Sequence, residues 1–218
     1  MILFMSNILL RFNKKDIIAE RNITFYKVFK KKIRGHLKEI IPQVPDIGNS
    51  IFKSSYLIGV AFIAWYKAFL EMGLSSDEAN IWIWKGTENA LKKIPRFMIP
   101  LVKKIYLGGM LRKAEEQTEK SKKGTLPEYD WFINYVKVDR NKFRLDTYEC
   151  GLKKLCKKFG VEEMLPSLCR MDYLTAHYLK HSFERTKTLG DGDEVCNNQF
   201  SFIGECAWSP EKGFEHRK

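Results

Sequence analysis

Apolar positions follow two different periods along this chain. The most hydrophobic run, Ser54 to Tyr66, reads SSYLIGVAFIAWY and is bounded by Lys53 and Lys67. A bilayer span needs about 20 apolar residues, so this shorter run is expected as a buried helix. It continues to Met72 and stops at Gly73, a residue suited to a helix C-cap. Ser75 and Glu78 then form a capping box for a helix through Ala79, Ile81 and Trp82. Pro95 and Pro100 break the next stretch into shorter helices. Before this region, Thr24 to Ile41 reads as a basic helix closed by Pro42 and Pro45. The opening MILFMSNILL is apolar but short. It lacks a preceding basic segment and a small-residue cleavage site, and reads as an ordinary N-terminal segment.

Residues Gln117 to Glu128 are polar, end in Gly and Pro, and read as a linker or long turn. Beyond them a period of two takes over. Trp131 to Val138 and Lys142 to Tyr148 read as strands around a turn at Asp139, Arg140 and Asn141. Cys150 to Phe159 reads as a short helix ended by Gly160. Between Val161 and Lys180, Leu165, Leu168, Cys169, Asp172, Ala176 and Leu179 recur at spacings of three and four, the buried stripe of a second helix. Phe183 to Leu189 alternates as a strand, Gly190 to Asp193 supplies a hairpin turn, and Val195 to Ile203 returns. Helices first and a largely antiparallel sheet with one long helix afterwards define an α+β fold. The expected organisation is a helical region at 1–116, a linker at 117–128 and a site-bearing α+β region at 129–218, integrated into one domain.

With 44% hydrophobic and 13% aromatic residues, the 218-residue chain has enough apolar material for a substantial core. The 38 Lys and Arg outnumber the 26 Asp and Glu, which makes nucleic acid, a membrane surface or a carboxylate substrate the partners to weigh. The lysines fall in scattered pairs and triplets, and no helix-turn-helix, zinc finger or aromatic RNP pattern accompanies them. The charge therefore reads as a solvated surface, with no nucleic-acid partner. Five cysteines with no CxxC pair argue against a disulfide framework and a ribbon-type zinc site, and suit a reducing cytoplasm.

Asp172 interrupts an apolar stripe, where a carboxylate needs a partner or a proton. Arg185 on the next strand is the nearest partner, either in a structural ion pair or as a bidentate anchor for a substrate carboxylate. Cys196 and Cys169 are both candidate nucleophiles, since a cation such as Arg185 or Lys187 would favour a thiolate. The plainer reading of each thiol is a small buried hydrophobe. Thr186 and Thr188 are possible hydrogen-bond donors, and Cys150 reads as core. His177 is expected to be exposed, and His181 ends the helix where a cation suits the dipole. No metal-ligand spacing and no organic cofactor motif is present.

Cys169, Asp172-Tyr173, Arg185-Thr186, Thr188-Leu189 with its glycine, and Cys196 before a polar and aromatic strand together resemble the L-2-amino-thiazoline-4-carboxylic acid hydrolase family. The likeness extends to Cys150 and, more faintly, to FIAWYKAFLEMGLSSDEA, covering most of the chain from about Ile51. It implies a hydrolase that opens a cyclic, carboxylate-bearing amidine-like substrate to N-carbamoyl-L-cysteine. Cys196 or Cys169 would be the nucleophile, Asp172 the proton-transfer group, Arg185 the carboxylate anchor, with Thr186, Thr188 and Asn197 completing the substrate-binding set. Where the family usually reads Cys-Asp-Phe-Arg-Phe, this chain reads Cys196-Asn197-Asn198-Gln199-Phe200. That departure raises the alternative of a non-enzymatic ligand-binding or sensor protein on the same architecture.

Overall fold

The computed structural model describes residues 1–206. Among them, seven α-helices and four strands form an α+β fold. Four helices come first: α1 (Ile2–Glu20), α2 (Ile23–Ile40), α3 (Lys53–Glu71) and α4 (Ser76–Lys92). The apolar opening is thus the first helix and no mere lead-in, its inward face carrying Leu9, Leu10 and Ile17 beside the polar Ser6 and Asn13. The two polar residues are satisfied across the packing. Trp65 Nε1 donates to Ser6 Oγ at 3.2 Å, and Asn13 Nδ2 donates to the Gly86 carbonyl at 3.2 Å. Helix α3 is apolar nearly all round because helices surround it, and the expected capping box closes the start of α4.

Helix α5 (Ile99–Lys123) carries Pro100 in its first turn and ends on Gly124 in the left-handed conformation. It absorbs the first half of the expected linker. Gln117, Thr118 and Ser121 look like linker residues but lie on one buried face of α5. They serve the strand β1 (Phe132–Lys137). Ser121 Oγ accepts the Ile133 N–H at 3.0 Å, Thr118 Oγ1 accepts the Tyr135 N–H at 2.9 Å, and Gln117 Nε2 donates to the Trp131 carbonyl at 3.2 Å. Polar side chains are needed there because β1 is an edge strand whose outer backbone groups would otherwise be buried without partners.

The sheet is wholly antiparallel in the order β1-β2-β4-β3, with β2 (Lys142–Glu149), β3 (Ser182–Glu184) and β4 (Cys196–Ser201). Register pairs Thr147 with Cys196, Leu145 with Asn198 and Phe143 with Phe200, so these six share one face. Two helices precede β3, α6 (Gly151–Phe159) and α7 (Leu165–Leu179), the latter entered through a 3-10 turn at Glu162–Met164. One apolar core runs from Leu9 through Trp65 and Leu145 to Phe200.

The expected strand Phe183 to Leu189 is cut to three residues. Asn197 Oδ1 accepts the N–H groups of Thr186 and Lys187 at 3.0 and 2.8 Å, drawing those amides off the ladder. The expected hairpin turn is a short 3-10 turn at Leu189–Asp191, followed by Gly192 at φ 92.

Candidate active site

Helix α7 and strand β4 bring three of the sequence candidates, Cys169, Thr188 and Cys196, together around the turn at Leu189–Asp191. The sulfur of Cys196 is buried under this turn, accepting the Leu189 N–H at 3.2 Å with Thr188 Oγ1 at 3.4 Å. The Thr188 hydroxyl oxygen itself accepts the Gly190 N–H at 3.3 Å, which leaves its own hydrogen for the sulfur. The Leu189 amide thus donates to the Cys196 sulfur, and the Thr188 hydroxyl is placed to donate as well.

The turn is pinned from three sides. Arg170, wholly buried, donates both hydrogen bonds of one Nη2 to Asp191, at 2.8 and 2.6 Å. Asp193 Oδ2 accepts the Thr188 N–H at 2.8 Å, and Lys153 Nζ donates to the Leu189 carbonyl at 3.0 Å. Gly190 lies against Cys169, where an added Cβ would come within 2.5 Å of its Sγ. A larger residue here would have to displace Cys169, and Cys169 and Cys196 flank the same turn.

Cys169 differs from Cys196 in its surroundings. Burial pushes its thiol up to about 11, only partly offset by Arg185. Cys150 is pushed up to about 12 by burial and by the neighbouring Cys169. Both are neutral thiols at neutral pH, and Cys150 belongs to this cluster more closely than a plain core residue would.

Arg185 and Asp172 form the expected ion pair, with Nη1 3.2 Å from Oδ2. The guanidinium is deeply committed. Nη2 donates to the Cys169 carbonyl at 2.6 Å, Nη1 also reaches Asn198 Oδ1 at 3.4 Å, and the group lies over the rings of Tyr173 and Phe183. Its side chain is only 5% exposed, so these contacts leave it little surface to offer a ligand. Asp172 is the accessible member, its side chain 37% exposed although protein encloses it on most sides. Desolvation raises its pKa above the usual carboxylate value, and Arg185 opposes that rise. Tyr106 approaches from α5, its phenol pushed up by burial and by the charge of Asp172.

Thr186 and Asn197 stand elsewhere. Asn197 Nδ2 donates to Thr186 Oγ1 at 2.8 Å on the exposed side of the sheet, and Gln199 donates to Glu184 Oε2 at 2.7 Å on that same face. Two of the three departures from the family strand therefore point away from the cysteines. Asn198 is the inward one, bridging Arg185 and Thr147. His181, expected as a cation at the helix end, is differently placed. It is fully buried between Tyr106 and Phe200, and desolvation lowers its pKa. Sequence reasoning missed Arg170, Tyr106 and the Leu189 amide. Arg170 was signalled by an arginine inside the apolar run of α7 with Asp191 in a glycine turn to meet it. A backbone amide leaves no such trace. Among the described residues, no group of three His, Cys, Asp or Glu is arranged to hold a metal.

The structure thus holds a buried thiol beneath the turn, contacted by one backbone amide and one hydroxyl, and a carboxylate paired with arginine. The sequence model of the L-2-amino-thiazoline-4-carboxylic acid hydrolase family matches residues 57–200, and the chain belongs to that family. No curated protein and no solved structure matches it.

Proposed function

We propose that the protein hydrolyses L-2-amino-thiazoline-4-carboxylate, or a closely similar cyclic amidine-like substrate, to the ring-opened N-carbamoyl product, with Cys196 as nucleophile. The observation that carries this reading is the pair of donors, Leu189 N–H and Thr188 hydroxyl, on the Cys196 sulfur. Family membership supplies the reaction class. The Cys196 thiolate adds to C2 of the ring, and the C2–S bond breaks with protonation of the departing ring sulfur. Water then adds to C2, the bond to Cys196 breaks, and the carbamoyl oxygen comes from that water. No ammonia is lost, and one water is consumed. Asp172 is the proton-transfer group, because desolvation brings its pKa towards the range in which it exchanges protons. Arg185 orients it. Cys169 stays a neutral thiol in the wall of the site.

The binding-protein alternative rests on the altered strand after Cys196. With Asn197 and Gln199 on the outer face, the catalytic reading is favoured, and Asn198 is the position where this chain's substrate preference would differ. Five free thiols fit a reducing compartment such as the cytoplasm, and no helix among the described residues is long and apolar enough to cross a membrane. The test is mass-spectrometric detection of ring opening under a large molar excess of substrate, with Asp172→Asn alongside. Product beyond one equivalent, absent from a folded Asp172→Asn variant, is expected. Folded wild-type protein giving no product, or a fully active Asn variant, would overturn the assignment.

A further inference from the structure

One surface of the molecule combines a basic, acid-free stretch with an exposed apolar stripe, and the proposed chemistry does not use it. From Asn89 to Ala114 the sequence holds seven Lys and Arg and no Asp or Glu. Within that stretch α5 and the turn before it present Phe97, Leu101 and Ile105, spaced by four residues, at 83%, 55% and 61% exposure. Phe97 lies in the 3-10 turn that leads into the helix. Gly108 continues the stripe with open space above it, and Lys104 and Arg112 flank it as exposed cations. Lys93 and Arg96 are exposed just ahead of it. The opposite side of α5 is buried through Leu107, Met110 and Ala114, so the outward face is not spare core.

A second apolar cluster belongs to the same end of the fold. Helix α1 runs antiparallel to α4, since Arg21 meets Glu78, Glu20 meets Lys85 and Asp16 meets Asn89. The start of α1 therefore lies towards the end of α4, which leads directly into Pro95 and Phe97. Leu3 and Phe4, exposed by 51% and 68%, are carried at that end.

We propose that this face docks the protein on an anionic phospholipid surface, with Phe97, Leu101 and Ile105 entering the headgroup boundary and Lys93, Arg96, Lys104 and Arg112 meeting the lipid phosphates. A helix with apolar residues on its solvent side and cations around them suits an interface that is apolar beneath and negative above. A protein partner would need carboxylates to match the same rim. A second copy of this face would oppose cation to cation, with no acid in the stretch to relieve the repulsion. Charge complementarity therefore selects the lipid.

The test is co-sedimentation of the full chain with phosphatidylcholine vesicles, with and without phosphatidylserine, at about 0.1 M and about 1 M salt. A Phe97→Ser/Leu101→Ser/Ile105→Ser variant and an Arg96→Glu/Lys104→Glu variant accompany it. Binding to the phosphatidylserine vesicles is expected, roughly tenfold or more weaker on neutral vesicles and in each variant. Both variants should keep the wild-type circular dichroism and ring-opening rate. Absence of binding, equal binding to both vesicle types, or an apolar variant that binds like the wild type would overturn the proposal. So would a wild-type dimer that the apolar variant converts to monomer while vesicle binding stays unchanged.

Discussion

The helical core around Trp65 and the layer between α7 and β4 are buried to a similar degree but contain different materials. Around Trp65 the neighbours are Phe29, Phe62 and Phe69, with ring centroids 5.4, 5.9 and 6.4 Å away. Between α7 and β4 the buried set includes Arg170, Arg185, His181, Thr147 and Thr188. The first region gains stability from apolar area and close packing. The second holds charges out of water and must satisfy each through specific geometry, which adds little net stability but fixes where every donor points. The contrast teaches that this protein keeps the rigidity of its site in polar contacts and its stability in the helices before it.

The largest effects on stability should separate the two regions. Trp65→Ala is expected to cost about 3–5 kcal/mol in denaturant unfolding while turnover per folded molecule stays at the wild-type value. Arg170→Met should cost a similar amount, about 3–5 kcal/mol, because Asp191 is left without its buried partner. Unlike Trp65→Ala, it should also lower kcat, since the turn that carries the Leu189 N–H is no longer pinned. Equal kcat losses in the two variants would erase the distinction.

A smaller effect is expected from Gly190→Ala, whose Cβ would crowd Cys169 Sγ. About 1–3 kcal/mol should be lost in urea unfolding, and recovered in large part when Cys169→Ala makes room. No recovery would mean that the glycine serves something other than that contact.

Much of this architecture is legible from residue patterns alone. The α3 run, the capping box at Ser75 and Glu78, the Asp172–Arg185 pair and the pairing of β1 with β2 are all marked by local spacing. Three features are not. The polar face of α5 looks like linker because its Gln117, Thr118 and Ser121 serve β1, a partner that only the fold brings near. Strand β3 ends early because Asn197 claims two amides that a strand would have paired. The donors on Cys196 come partly from a backbone amide, which every residue but proline carries and no sequence pattern marks.

Alkaline pH should weaken the site layer more gently. The folded state holds the Cys169 proton up to about 11 against an ordinary value of 9.0. Between those values the unfolded chain has released a proton that the folded chain retains, so stability falls as pH rises through the window. The slope per group is at most about 1.4 kcal/mol per pH unit. Urea midpoints at either end of the window should show it, and Cys169→Ala should lessen the fall by the share of one group, with Cys150 and the buried tyrosines supplying the remainder, while Trp65→Ala leaves it unchanged.

The smallest effect belongs to the outer face of β4. Asn197→Asp and Gln199→Arg would restore the usual family residues on the side opposite the cysteines. Turnover should change by no more than about threefold, within the usual range for substitutions away from a site. A large gain in rate would show that the outer face takes part in the chemistry.

The account depends most on the difference between two thiols on one turn, Cys196 with two donors and Cys169 with a burial-raised proton. The most direct measurement is the ring-opening rate of Cys196→Ala and Cys169→Ala beside the wild type, with folding checked by circular dichroism. Cys196→Ala should lose about three orders of magnitude or more, and Cys169→Ala should retain the greater part of the wild-type rate. A Cys196→Ala variant that turns over substrate, or a Cys169→Ala variant that is folded and dead, would contradict it.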